Sequence, residues 1–321
     1  MRTFLIFLHL QLLNKMEKEK ILQLERLQGG KRRIDLRRRR NKKILRDRRF
    51  RRPRAGEFNA LVGGGQRKER KWTDTSYPYR SISKKRAIDE FLKLRRMAAS
   101  DNINPRSLMG NRTVDWGTEK MRKKTKYRNH SLVDRWKDRV KRAKVIKFAK
   151  QEKRKTNASV GLSLRRAIAL QWGSINTMRP SAALQMYKKY GATSVLDFTA
   201  GWGSRMLAAM ALDIDYIGID SNKSLKPGYE KIIKLLKPYT TSKVTMIWKE
   251  AQTVDISKLP KYDFVFTSPP YEYLEVYEHM PNYEDKSAKI RQPSSSKAIK
   301  VNDSTNFYDE FIVPSLKSAY K

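Results

Sequence analysis

Two short segments constrain this chain more than any others, Val195-Leu-Asp-Phe-Thr-Ala-Gly-Trp-Gly203 and Phe264-Val-Phe-Thr-Ser-Pro-Pro-Tyr271, with Gly218-Ile-Asp220 between them. Each begins as a run of apolar, strand-forming residues and ends in a polar loop. Around them, apolar runs alternate with stretches of helical spacing, the sequence sign of a parallel α/β sheet. In an open sheet of that kind, ligands bind beyond the carboxyl ends of the strands, so all three loops are expected to face one crevice.

Strands are expected at 194–198, 216–219, 244–248 and 264–266, with helices at 180–190, 204–212, 225–236 and 307–320. Ser181 is placed to cap the first helix, Pro227-Gly228 interrupts the third early, and Pro314 kinks the last. Four strands are fewer than a doubly wound sheet carries, so the sheet is expected to be incomplete at the C-terminus.

Charge divides the chain. Residues 1–155 hold 50 of the 72 Lys and Arg against 16 acidic residues, so +34 of the net +40 lies there. We therefore expect a basic, helical or partly disordered nucleic-acid-binding region at 1–155 and an α/β domain at 156–321. Nucleic acid is favoured over membrane because Trp and Tyr interleave the basic runs and no long apolar face accompanies them. Residues 16–54 read as a basic helix or arm that Gly63-Gly-Gly65 ends. A helix follows at 83–97, with Ala87, Ile88, Phe91, Leu92 and Leu94 on one side, then an irregular segment at 102–130 and a second basic helix at 132–155.

Several classes are excluded or disfavoured. The chain has no cysteine, so it forms no disulfide and offers no thiolate to add to a ring, which removes methylation at cytosine C5. His9, His130 and His279 are its only histidines and lie far apart, so no metal site is expected. The apolar run at 4–13 is too short to span a bilayer and lacks a small-residue cleavage site, so an intracellular protein is expected.

Gly201-Trp-Gly203 lets backbone approach a ligand, and a helix starting near Ser204 offers N–H groups to a carboxylate. The third glycine of a dinucleotide fingerprint is missing, since position 206 is Met206. Asp220, at a strand end, can accept from both ribose hydroxyls or cap the turn toward Asn222. Glu250 can accept from an adenine amine or stand solvated. Thr267-Ser-Pro-Pro-Tyr271 is the most specific signal. Two prolines remove two N–H donors and leave carbonyls free, so Ser268 and the Pro269 carbonyl can accept both hydrogens of a base amine while Tyr271 stacks on the base. The other reading of Pro269-Pro270 is a structural turn.

Asp197 to Gly203, Asp220 and Thr267 to Tyr271 resemble the amino-group DNA methyltransferases, in particular their Ser-Pro-Pro-Tyr branch. The block Trp172-Gly-Ser-Ile-Asn-Thr-Met-Arg-Pro-Ser181, with Asp197 to Arg205, resembles methyltransferase-like proteins of large DNA viruses and phages. The resemblance covers about residues 160–321. It implies a Rossmann-like S-adenosylmethionine-dependent sheet and methylation of cytosine N4 or adenine N6 in DNA, with the base flipped out of the duplex. It also implies cofactor contacts at Asp197, Thr199, Gly201, Gly203, Asp220 and Glu250, a cofactor-closing segment at Met178 to Pro180, and catalytic residues Ser268, Pro269, Pro270 and Tyr271. Serine at 268 leans toward cytosine N4. The alternatives are an RNA methyltransferase and a non-catalytic nucleic-acid-binding protein.

Overall fold

β-Branched and aromatic residues crowd the four apolar runs, and each run forms a strand. A computed structural model describes residues 3–4, 70–127, 130–154, 156–268 and 313–320. In it β1 (Thr3–Phe4), β4 (Ser194–Asp197), β5 (Asp215–Ile219), β6 (Val244–Ile247) and β7 (Phe264–Val265) form one parallel sheet, ordered β1-β7-β4-β5-β6. A separate antiparallel pair joins β2 (Lys126–Tyr127) to β3 (His130–Ser131). Leu196 stands beside Ile217 on one side and Val265 on the other. From β4 the chain steps outward to β5 and β6, then returns past β4 to β7. That reversal creates a switch point between β4 and β7, where loops from neighbouring strands part. The expected α/β architecture with parallel strands is thus present. The basic arm at 16–54, the glycine triplet, residues 5–13 of the apolar run, and residues 269–312 lie outside the described residues.

One face of the sheet carries α6 (Pro180–Tyr190), α7 (Ser204–Leu212) and α8 (Lys226–Leu236). With them pack α1 (Lys84–Ala99) and α2 (Asn111–Lys124), although both come from the basic stretch. Phe91, Leu94 and Val114 join Leu184, Tyr187, Leu207, Tyr229, Ile232 and Phe264 in a single buried core. Each such side chain contributes about 1.5–3 kcal/mol by leaving water. On the other face, Leu196, Phe198, Ile217 and Val265 pack with Ala251, Ile256 and Ala319, the last from α9 (Val313–Tyr320). Covered on both sides, the strands are apolar throughout rather than alternating.

Some local expectations are corrected. The segment 102–130 is not irregular, because α2 occupies its middle; Thr113, Val114, Gly117 and Thr118 are weak helix formers that hid it. Gly117 is there for contact. A Cβ on Gly228 would lie 2.6 Å from the Gly117 carbonyl oxygen, so α2 and α8 cross backbone to backbone. Pro227 accordingly sits in the first turn of α8 and does not interrupt it. Pro314 likewise occupies the first turn of α9. Ser181 is no cap: α6 starts after Arg179 without a side-chain cap, and the buried Ser181 hydroxyl faces the Pro105 and Ser107 carbonyls at 3.0 and 2.8 Å.

The second basic helix is two helices, α3 (Leu132–Lys137) and α4 (Arg139–Lys153). Asp138 breaks them by accepting from the Val140 and Lys141 N–H groups. α5 (Val160–Trp172), which the sequence did not announce, lies against α4 and closes a second core of Tyr77, Leu132, Trp136, Val145, Leu164 and Ile168. Among the described residues, no helix is long and apolar enough to cross a membrane.

Candidate active site at the carboxyl edge of the sheet

The loop after β4 turns only because two of its residues are glycines with left-handed backbone, Gly201 at φ +62° and Gly203 at φ +92°. An L-residue there costs about 1–2 kcal/mol. Three neighbours hold the loop. The Ala200 N–H donates to the Ile219 carbonyl at 2.9 Å. The buried Tyr229 hydroxyl reaches the Ala200 and Gly201 carbonyls at 3.0 and 2.8 Å, and Thr118 of α2 reaches the Trp202 carbonyl at 3.1 Å. Directly after Gly203, the Ser204 hydroxyl begins α7 only 4% exposed and with no hydrogen-bond partner. A cradle of glycine backbone ending in an unpaired hydroxyl at a helix N-terminus fits an anionic ligand group.

Asp197 lies beneath that cradle and is enclosed. Its carboxylate accepts from Arg205 Nε at 2.6 Å, from the Tyr216 hydroxyl, and from the Thr199 N–H at 3.3 Å. Burial on its own would lower the Arg205 pKa, but Asp197 and Tyr216 raise it, so the guanidinium stays charged. Arg205 also donates to the Thr199 carbonyl and approaches Met178 Sδ at 3.9 Å. Asp197 therefore shapes the loop from below, and Met178 stands beside it through Arg205.

Asp220 directly follows β5 and faces the loop from the side. One carboxylate oxygen accepts from the Gly201 N–H at 2.7 Å, the other from the Asn222 N–H at 2.9 Å. Burial nonetheless pushes its carboxyl up to about 6, against those two bonds. Of the two expected roles, the structure shows the capping of its own turn, with the carboxylate beside the glycines. Burial, with Asp220 nearby, also raises the Tyr229 phenol well above its usual range, so Tyr229 remains a neutral donor.

At the switch point the loops after β4 and β7 meet. The Thr199 and Thr267 hydroxyls are hydrogen-bonded, and the Ser268 N–H donates to Thr199 Oγ1 at 3.2 Å. Ser268 is thereby held at the lip of the cradle. Pro269, Pro270 and Tyr271 lie outside the described residues. Glu250, beyond β6, accepts from Gln252 at 2.9 Å. Trp248, directly after β6, lies edge-on to the Tyr229 ring with centroids 5.4 Å apart.

Sequence reasoning missed Arg205, Tyr216 and Tyr229. Arg205 did leave a signal: a cation in the first turn of a helix opposes the dipole there, so it must be answered by a nearby anion. The two tyrosines left none, since a core aromatic and a loop-bracing aromatic look alike in sequence. No family model, curated protein or solved structure matches this chain.

Proposed function

We propose that this protein transfers the methyl group of S-adenosylmethionine to an exocyclic amine of a nucleobase, cytosine N4 or adenine N6, in DNA. The observation that carries the reading is the joint of Thr199, Thr267 and Ser268 at the switch point, beside a glycine loop tied to Asp220. That joint brings Ser268 and the glycine loop together at one edge of the sheet.

In this reading the Gly201–Gly203 backbone, the Ser204 hydroxyl and the α7 N-terminus hold the methionyl carboxylate. Asp220 accepts from the ribose. When bound, the cofactor supplies an electrophilic methyl group. Ser268, with the Pro269 carbonyl, accepts the amine hydrogens and so localises the nitrogen lone pair, and Tyr271 stacks on the extruded base. Charge supports the nucleic-acid substrate: the exposed side of α4 carries Lys141, Lys144, Lys147 and Lys150. Such contacts to phosphate position a protein without reading sequence.

The test is incubation with labelled S-adenosylmethionine and duplex DNA, with structured RNA alongside, followed by nucleoside analysis. N4-methylcytosine or N6-methyladenine is the expected product. Binding of both ligands without transfer to either nucleic acid would reject the enzymatic reading in favour of a binding protein.

A further inference from the structure

We infer that the turn at Ser107 to Met109 is a wedge that enters duplex DNA beside the extruded nucleotide; this rests on the function proposed above. The turn presents Leu108 at 64% exposure and Met109 at 37%, two large apolar side chains side by side in water. It is not a loose loop. The Ser181 hydroxyl is within reach of the Pro105 and Ser107 carbonyls at 3.0 and 2.8 Å, and Arg179 Nη1 donates to the Arg106 carbonyl at 2.8 Å. Inside the turn, the Met109 N–H donates to Ser107 Oγ at 3.2 Å and the Asn111 N–H to the Leu108 carbonyl at 3.1 Å. Behind it Gly110, at φ +87°, is seated so closely that a Cβ would come within 3.1 Å of Pro180.

Helix geometry places this turn at the edge that carries the site. Tyr190 stacks on Phe264, while Tyr187 meets both Phe264 and Phe266, so α6 runs back along β7 toward the strand's carboxyl end. From Tyr187 to Pro180 the helix advances about 10 Å. From Phe266 to Ser268 an extended chain advances about 7 Å. The start of α6, and the turn fastened to it, therefore stand at the level of Ser268. Met178, two residues before Pro180, already touches Arg205 under the glycine loop.

A rigid apolar tip with two exposed arginines beside it, Arg106 and Arg179, matches one occupant chemically. Stacked base pairs accept Leu or Met between them once the stack is opened, and neighbouring phosphates accept guanidinium groups. Filling the gap left by a flipped nucleotide offsets part of its unstacking cost. A single strand has no such gap to fill.

The experiment compares wild type with Leu108→Ser/Met109→Ser and with Leu108→Phe, all at exposed positions. Two readouts are taken: methyl transfer from labelled S-adenosylmethionine to duplex and to heat-denatured DNA, and the fluorescence rise of 2-aminopurine duplexes on binding. The double variant is expected to lose duplex methylation on the order of tenfold while staying within about twofold of wild type on single strands. It should also lose the fluorescence rise, and Leu108→Phe should retain both. Equal losses on duplex and single strand, or no loss on either, would overturn the wedge. So would a wild type that raises no fluorescence in any duplex. If wild type unstacks 2-aminopurine through Leu108 and Met109 yet transfers no methyl group, the wedge stands and the methyl-transfer reading falls.

Discussion

Arg205 Nε stands 2.6 Å from Asp197 Oδ2, with 6% of the arginine side chain exposed and none of the aspartate. Removing one partner of such a pair strands a buried charge. Arg205→Met is therefore expected to cost about 3–5 kcal/mol of folding stability, and Asp197→Leu a similar amount. Joined in one chain, the two changes should cost well below their sum, because neither leaves an unanswered charge. Chemical denaturation of the three variants measures this, and strict additivity would show that the pair is not a unit.

Asp220 couples fold and ligand in opposite directions. Its carboxyl titrates at about 6, above the ordinary aspartate value, so its protonated form is favoured by the fold. Stability from this group is fully present below the unfolded pKa and is lost as pH rises through about 6. A ribose is held best by the ionised form, so cofactor affinity should fall about tenfold between pH 7 and pH 5. Asp220→Asn should flatten both trends. Titration calorimetry and thermal melts across pH 5–8 test this, and an affinity independent of pH would remove Asp220 from the ligand.

Gly203 is required for its backbone and not for space. A Cβ there would meet the Tyr229 ring at 3.6 Å, an ordinary contact, but φ is +92°. Gly203→Ala should cost about 1–2 kcal/mol, and Gly203→Val more, since branching at Cβ crowds a left-handed backbone further. Cofactor affinity should drop with both. Tyr229→Phe separates the effects, because it loosens the loop without straining it.

Ser268→Ala should slow methyl transfer while leaving cofactor affinity intact, since Ser268 is tied to Thr199 through its backbone N–H, which alanine keeps. Single-turnover rates beside a cofactor titration measure the split. Equal losses in both would make Ser268 a structural residue.

Replacing Lys144, Lys147 and Lys150 of α4 by Gln should weaken DNA binding at all sequences alike. If each neutralises one phosphate, the slope of log affinity against log salt falls by about 0.9 for each. An unchanged slope would take α4 off the DNA.

The sheet and the placement of its loops were legible because strand ends, glycines and acids recur in fixed order along the chain. Asp220 and Gly203 were found that way. The helices were harder. α2 reads as a poor helix because Gly117 is chosen for its contact with Gly228 and Thr118 for its bond to the Trp202 carbonyl, both long-range reasons that a local pattern does not carry. Charge counting set a division at 155, whereas Phe91, Leu94 and Val114 are apolar residues dispersed among lysines and arginines, and their burial against the sheet shows only in three dimensions. Asp197 drew attention by its position at a strand end, but its use is decided by Arg205 and Tyr216, which approach from α7 and the next strand.

The contact between Gly117 and Gly228 fixes how closely α2 and α8 approach. With the carbonyl of one helix 2.6 Å from where a methyl group on the other would sit, neither position can enlarge unless the helices part. Parting them would draw Thr118 from the Trp202 carbonyl and free the glycine loop. The glycine loop at the sheet edge therefore depends on two side chains that are not there, one on each of two helices remote from it in sequence.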